Sequence, residues 1–558
     1  MPNIFGIKIV GPAGAGVLSA GEILLRSLVK TSYYCQGYPE YPSLIKGGHN
    51  TYLITLSENS YPINSDRVDL LIALTQNALN EEHNAIDDNT SVICDQTLKP
   101  DHEIKKLFQP GLLEIAKAAG NPLTLNTAAL GFISQQLKIN PVVIWDYIKK
   151  ELEGKSEELL NQNKSGFDKA VELSQKYHTN LSLPGTKNTD HKVCLTGSQA
   201  TGLGAIAAGI NFYAGYPMTP SSPLLHFLAD HQVEYNYLVR QAEDEIGAIN
   251  MIIGASFAGA KSMTGTSGGG FALMNEGLSL AAMLETPIIL YIGMRPAPAT
   301  GLPTWSSQAD LLYATHAGHG EFPRVIVAPS DPKECYHLTY QAFVLSQRFH
   351  IPVIILSDKY LAENYFSIED LGKLEPVPLS VELPKEGQTD MYPRYQFNLT
   401  GIQGRTIPGI KGGEYIANSD EHGSTGLVDE TAQNRNSANQ RRLNKFREIK
   451  KDIPAPEVKG EGDTAIISWG SNKYIVRIIA EELKMAHIHL TYVWPLPNDI
   501  KMLLENYHRL ITIENNITHQ IARLITTETG LTIQLQLGDD SGRPLDPKSL
   551  IEQIKHES

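Results

Sequence analysis

Cysteine is scarce in this chain: 4 in 558 residues, at Cys35, Cys94, Cys194 and Cys335. None stands in a CxxC pair or in a Cys/His group with ligand spacing. That excludes an iron–sulfur cluster or structural zinc held by this chain alone and leaves no metal site to assign. Four scattered thiols are also no disulfide framework, and they suit a reducing, cytoplasmic setting. Charge of one sign is nowhere concentrated. Lys and Arg number 47 against 61 Asp and Glu, a net charge of −14 without a long acidic or basic block. Neither nucleic acid nor an anionic membrane surface is therefore expected as a partner. Long hydrophobic runs are missing too. The longest, Leu278 to Met294, is interrupted by Glu285 and Pro287, which argues against a membrane span. Met1 to Val10 has no cationic stretch ahead of its apolar residues and reads as a strand instead of a signal peptide.

What is present is the composition of a globular enzyme, 42% apolar and 19% charged, in a chain long enough for about three or four domains. Apolar runs alternate with helical periodicity in three blocks, which is an α/β pattern. The first, residues 1–178, opens with a strand at Ile4 to Val10, a glycine turn and a helix over Leu18 to Leu28. It continues with strands at Leu70 to Leu74 and Ser91 to Cys94 and helical runs at Leu107 to Ala119 and Val142 to Leu152. A polar linker, 179–191, leads to the second block, 192–371. Its strands are expected at Val193 to Leu195, Gly259 to Met263, Pro287 to Ile292, Arg324 to Ala328 and Pro352 to Ser357. Residues 372–462 form an irregular connection with one helix at Asn439 to Lys450; connections this long are usually functional or join domains. The third block, 463–558, returns to strand–helix alternation at Thr464 to Ser468, Tyr474 to Lys484, Ile488 to Val493 and Arg509 to Glu514.

Four segments carry chemistry. The loop Tyr216-Pro217-Met218-Thr219-Pro220-Ser221-Ser222-Pro223 places a Thr and two Ser residues between prolines that restrict the backbone. Such a rigid polar concavity can hold a small anion with little ordering entropy, though alone it reads first as an ordinary Pro/Ser turn. The run Gln241-Ala242-Glu243-Asp244-Glu245 leads into a helix of Gly, Ala and Ile whose small residues permit burial. Its leading acid is either solvated at a helix N-terminus or buried and able to hold a proton, and on the segment alone the solvated reading is the expected one. Arg295 follows the apolar strand at Pro287 to Ile292, in a Pro-rich loop with Thr300 and Thr304. An Arg at the carboxyl end of a parallel strand is suited to gripping a carboxylate. Two other glycine segments fail their motifs. Gly11-Pro12-Ala13-Gly14-Ala15-Gly16 lacks the GxGxxG spacing for a dinucleotide, and Gly254 to Ser262 has one residue too many for a P-loop. His316 and His319 lack a third ligand and are assigned a structural role.

In this order and at these intervals, YPMTPSSP, EDEIGAINMIIGASFAGAKSMTGTSGGGF, RPAPATGLPT and HGEFPR (His319 to Arg324) resemble the α subunit of the 2-oxoacid:ferredoxin oxidoreductases. The N-terminal block, with its glycine turn and Tyr41-Pro42-Ser43-Leu44-Ile45-Lys46-Gly47-Gly48, resembles the γ domain that some members carry fused ahead of α. The resemblance implies a multi-domain α/β protein: a γ-type domain, a thiamine diphosphate pyrimidine-binding domain and a C-terminal transketolase-C-like domain. It implies oxidative decarboxylation of a 2-oxoacid to an acyl-CoA, with electrons passing to ferredoxin.

The same resemblance assigns roles. Glu245 would hydrogen-bond N1′ of the aminopyrimidine and favour its imino tautomer. Thr219, Arg295 and Thr304 would hold the substrate carboxylate, with Tyr216 and Ser221 beside them, and Pro217 and Thr219 would lie against the cofactor. No GDG-then-Asn pattern for Mg²⁺ and diphosphate is present, so a separate β subunit is implied to supply these and a [4Fe–4S] cluster, in an αβ pair or its dimer. The chain departs from the family at TSGGGF, where TSGPGF is usual, at Glu421-His422-Gly423-Ser424, where EHDE is common, and at Lys46, where Arg is common. The substrate implied is 2-oxoglutarate. Pyruvate or a branched-chain oxoacid is the alternative within the class, and a non-catalytic subunit of the same fold the alternative outside it.

Overall fold

The computed structural model describes residues 4–31, 33–44, 48–58, 67–185, 192–385 and 390–557. Two compact units emerge, one reaching Thr196 and including Glu363–Asp370, the other comprising Gly197–Ala362 and Leu371–Ser558.

The first unit is built on an eight-stranded mixed sheet in the order Lys106–Phe108, Ser91–Cys94, Leu70–Ala73, Ile4–Pro12, His49–Ser57, Tyr34–Glu40, Tyr365–Ile368, Val193–Thr196. Ile4–Pro12 pairs parallel with Leu70–Ala73 on one side and antiparallel with His49–Ser57 on the other. The helix Val17–Lys30 buries an apolar face that shares a core with Tyr52, Ile54 and Leu56. The Gly11 to Gly16 turn joins strand to helix, with Gly14 and Gly16 at φ 89° and 75°. Two sequence expectations change here. Val193–Thr196 is the edge of this first sheet instead of a strand of the next block, held antiparallel by Tyr365–Ile368. Leu107 begins within a strand, Lys106–Phe108, and the helix starts only at Leu112. Of the γ-like motif, Ile45, Lys46 and Gly47 lie outside the described residues; Tyr41 donates its hydroxyl to Glu363 at 2.7 Å.

In the second unit a seven-stranded sheet runs Tyr492–Trp494, Val325–Val327, Pro352–Asp358, Ile288–Met294, Ser262–Thr266, Phe212–Gly215, Leu238–Gln241. All neighbours are parallel except the Tyr492–Trp494 edge. The central strands Ile288–Met294 and Pro352–Asp358 are buried at every residue, which is why they read as continuous apolar runs. A five-stranded sheet follows: Glu457–Lys459, Ala486–Leu490, Thr464–Trp469, Arg509–Glu514, Leu535–Gly538. Residues of both sheets share one core, in which Ile288, Leu290 and Ile354 join Ile467, Trp469 and Val493.

The charge-rich connection is ordered by a buried ion cluster. Its helix, Ala432–Asp452, extends beyond the expected stretch at both ends and is capped by the Thr431 hydroxyl. Glu285, which interrupts the apolar run at Leu278 to Met294, accepts Arg441 at 2.5 Å and Lys445 at 2.6 Å, with Arg394 at 3.8 Å. The three cations hold the Glu285 carboxyl well below the usual range despite its burial, while burial pulls Lys445 down to about 8. A buried acid among cations is stable only while these partners stay in place.

Candidate active site

The chemistry-bearing segments meet because of strand order. Ile288–Met294, Ser262–Thr266, Phe212–Gly215 and Leu238–Gln241 are consecutive parallel neighbours. Arg295, Ser267, Tyr216 and the Glu245 segment therefore leave the same, carboxyl edge of the sheet, where open α/β sheets bind ligands.

Glu245 opens the helix Glu245–Phe257, which Asp244 caps by accepting the Gly247 amide at 2.6 Å. A cap of this kind stabilises the helix by roughly 1 kcal/mol and frees Glu245 from that task. The inward face of the helix, Ala248, Ile249, Ile252 and Ile253, lies in the main core. Glu245 is only 3% exposed, and its Oε1 has no hydrogen-bond partner among the described residues. A buried carboxylate oxygen lacking a donor is expensive unless something supplies one. The close wall is Gly270: a Cβ there would stand 2.4 Å from Glu245 Oε1 and 2.1 Å from Thr266 Oγ1. The TSGGGF turn thus needs glycine at its third Gly position to leave room for the acid.

Arg295 and Thr219 come together. Arg295 Nη1 donates to the Thr219 carbonyl at 2.6 Å, which fixes the guanidinium against the loop. Pro220 sits over the end of the strand Ile288–Met294, two places along the sheet, where a Cβ on Gly293 would meet its Cγ at 2.9 Å. Ser221 is buried and donates its hydroxyl to the Met218 carbonyl at 2.7 Å, so that group closes the turn. Met218 carries its sulfur to 2.7 Å from Ser267 Oγ, linking this loop to the glycine turn. Tyr216 is exposed at the rim and Pro217 half-buried. Thr304 is buried and its hydroxyl has no partner among the described residues. The loop that carries it docks on the C-terminal sheet: Ser307 donates to Asn515 O at 3.1 Å, and Gln308 to Trp469 O at 2.9 Å.

Asp310, which sequence reasoning passed over, stands 8% exposed at the same edge. Burial lifts its carboxyl to about 6, against a smaller opposing pull from Arg295. Burial likewise lowers Arg295, and Asp310 opposes that. An Asp ahead of the apolar run Leu311–His316 looks like a helix cap, yet it makes no capping bond.

The segments set aside have structural roles. Lys261 donates to the carbonyls of Ala208 at 2.8 Å and Val377 at 2.6 Å. His316 bonds the Leu312 carbonyl at 2.9 Å, and the His319 amide donates to Ser279 at 2.8 Å. Glu421 is held by Arg435 and Arg442, and His422 stacks on Tyr395 with centroids 4.1 Å apart.

Residues 203–439 match the family described as pyruvate flavodoxin/ferredoxin oxidoreductase, thiamine diphosphate-binding, and residues 6–173 match pyruvate ferredoxin/flavodoxin oxidoreductase. The 2-oxoacid:ferredoxin oxidoreductase subunit alpha of a Sulfolobus species is 30% identical over 96% of this chain and 94% of its own. This chain belongs to the 2-oxoacid:ferredoxin oxidoreductases, as an alpha subunit. A solved 2-oxoglutarate:ferredoxin oxidoreductase from Magnetococcus marinus, with 2-oxoglutarate, coenzyme A and succinyl-CoA bound, superposes with a TM-score of 0.90 at 28% identity and full coverage of both chains. The 2-oxoglutarate synthase subunit KorA of Archaeoglobus fulgidus is 35% identical over 55% of this chain and 82% of its own. The residues at the carboxyl edge fit thiamine diphosphate: a buried, unpartnered Glu245 oxygen is what an aminopyrimidine ring nitrogen bearing a proton requires.

Proposed function

We propose that this alpha subunit acts in the oxidation of 2-oxoglutarate with coenzyme A to succinyl-CoA and CO₂, two electrons passing to ferredoxin. It works in the cytoplasm with a β subunit that contributes Mg²⁺, the diphosphate contacts and a [4Fe–4S] cluster, as an αβ pair or a dimer of such pairs. The observation that carries the reading is the orphaned Glu245 oxygen, walled by Gly270 at the strand edge from which Arg295 also departs. The full-length superposition on a 2-oxoglutarate enzyme supports the choice of substrate.

Thiamine diphosphate, when bound, supplies the nucleophilic carbon and the electron sink that decarboxylation needs. Glu245 holds a proton at Oε1, shared with the pyrimidine, in a place from which water is excluded. That environment strengthens the bond and keeps it from solvent exchange. Arg295 uses Nη1 to anchor itself on Thr219 O and turns its remaining N–H groups to the substrate carboxylate. Thr304 offers its unpartnered hydroxyl to the same carboxylate. Ser221 acts one step back, by closing the turn that sets Thr219, while Tyr216 and Pro217 form the rim. Groups fixed before substrate arrives contribute by orientation, which can supply a large part of a rate enhancement.

The test is co-expression with the β chain, followed by assay of 2-oxoglutarate, pyruvate and branched-chain oxoacids with coenzyme A and a viologen acceptor. Thiamine diphosphate in the purified complex and turnover led by 2-oxoglutarate are expected. Preference for pyruvate would move the substrate assignment, which the Glu421-His422-Gly423-Ser424 departure bears on. A complex without thiamine diphosphate would overturn the reading.

A further inference from the structure

A polar cavity of about 310 Å³ opens within the charge-rich connection, walled in part by Tyr395, Ser424, Asp429, Ser437 and Arg441. Arg441 ties it to Glu285, which precedes the strand Ile288–Met294. Arg295 leaves the other end of that strand. Seven residues at about 3.3 Å each put roughly 20 Å between the two ends. The cavity is therefore separate from the catalytic edge.

Charge at this place is unbalanced. Three cations, Arg441, Lys445 and Arg394, face the one Glu285 carboxylate, an excess of two positive charges. Arg441 is 3% exposed. Its Nη2 is committed to Glu285 Oε1 at 2.5 Å, while its Nη1 has no hydrogen-bond partner among the described residues. A buried guanidinium N–H without an acceptor is costly, because nothing replaces the water it gave up. The neighbouring acids are already engaged. Asp429 accepts the Thr431 amide at 3.1 Å and its hydroxyl at 2.7 Å, and Glu421 is held by Arg435 and Arg442. Ser424 lines the same cavity at the position of the last acid in the family's common EHDE run. A carboxylate there would have met the excess charge, and a serine leaves it open.

We propose that this cavity binds a small oxyanion, a phosphate or a carboxylate, on Arg441 Nη1 with the hydroxyls of Ser424 and Ser437 beside it. The anion supplies the acceptor that Arg441 lacks and offsets the positive excess around Glu285. The volume suits a small ligand. Because the ligand bridges the wall at Ser424 to the helix Ala432–Asp452, it stabilises the connection by mass action.

The experiment uses the complex with its β subunit. It is titrated calorimetrically with sodium phosphate and, separately, sodium malonate at fixed ionic strength, with sodium chloride as the control. One saturable site per alpha subunit is expected for at least one of the two anions, and none for chloride. Binding of phosphate alone identifies a phosphate ligand, and binding of malonate alone a carboxylate. Ser424→Glu builds a carboxylate into the wall. It is expected to weaken the anion by about tenfold or more and to raise Tm when no anion is added. Ser437→Leu narrows the cavity without altering the Glu285 cluster, and it should weaken the anion to a similar degree with Tm within a few degrees of the parent. Malonate held at Arg295 instead would be indifferent to both substitutions. Absence of saturable binding in the parent, or binding that survives undiminished in either variant, overturns the proposal.

Discussion

Gly270→Ala tests how tightly the acid is boxed. The added Cβ would fall 2.4 Å from Glu245 Oε1, 2.7 Å from Glu245 Cγ and 2.1 Å from Thr266 Oγ1. Comfortable carbon contacts need about 3.5 Å, so something must move by roughly 1 Å. Thr266 sits within a fully buried strand, and the Glu245 carboxyl is the end free to shift. Overpacking of this kind destabilises by about 1–3 kcal/mol. A misplacement of about 1 Å in a catalytic group lowers rate by about 10²-fold. Gly270→Ala is therefore expected to lose roughly two orders of magnitude in kcat with saturating thiamine diphosphate, alongside a modest fall in Tm. Gly269→Ala is the control, since nothing stands within 4 Å of its Cβ; it should be close to neutral. The assay is viologen reduction by the reconstituted complex, paired with a thermal scan. Full kcat in Gly270→Ala with a lowered Tm would refute the claim that this wall positions Glu245.

Gly269→Pro, which restores the family's usual turn, is expected to stabilise the chain by about 0.4–1 kcal/mol, because position 269 is open and lies in the first turn of a helix. A thermal scan showing a lower Tm would contradict that. Glu285→Ala leaves Arg441, Lys445 and Arg394 without their buried anion and should destabilise by about 3–5 kcal/mol, read by denaturant melts. Asp310 has its folded pKa raised from 3.8 to about 6, so the folded state binds the extra proton. Its contribution is least unfavourable below pH 3.8 and falls away as pH rises to about 6, a loss of about 3 kcal/mol above that. Asp310→Asn should accordingly raise Tm at pH 7, and the gain should shrink between about pH 6 and pH 4. A gain independent of pH would contradict the linkage.

Local structure was the more legible part of this chain. Arg509–Glu514 and Ser91–Cys94 are found where apolar runs placed them, because a buried parallel strand needs continuous apolar residues. Sheet partnership was not legible. Val193–Thr196 reads like its neighbours in sequence, but its place is set by Tyr365–Ile368, some 170 residues away by number. Glu285 looked like an interruption because its three cations come from residues 394 to 445, and no local pattern joins them. Within the site, Glu245, Thr219, Arg295 and Thr304 were named through the family motifs. Their environments, two orphaned oxygens and an Arg anchored on a carbonyl, required coordinates. Ser221 shows the limit of a motif, since its hydroxyl is engaged inside its own loop. Asp310 was missed because an acid before an apolar helix is ordinarily a cap.

The most direct measurement is kcat of Glu245→Ala in the complete complex, with thiamine diphosphate content determined on the same sample. A loss of roughly 10²–10⁴-fold with the cofactor still bound is expected of a group that holds the proton for catalysis. Undiminished kcat in a complex carrying its full complement of cofactor would contradict the role given to this acid.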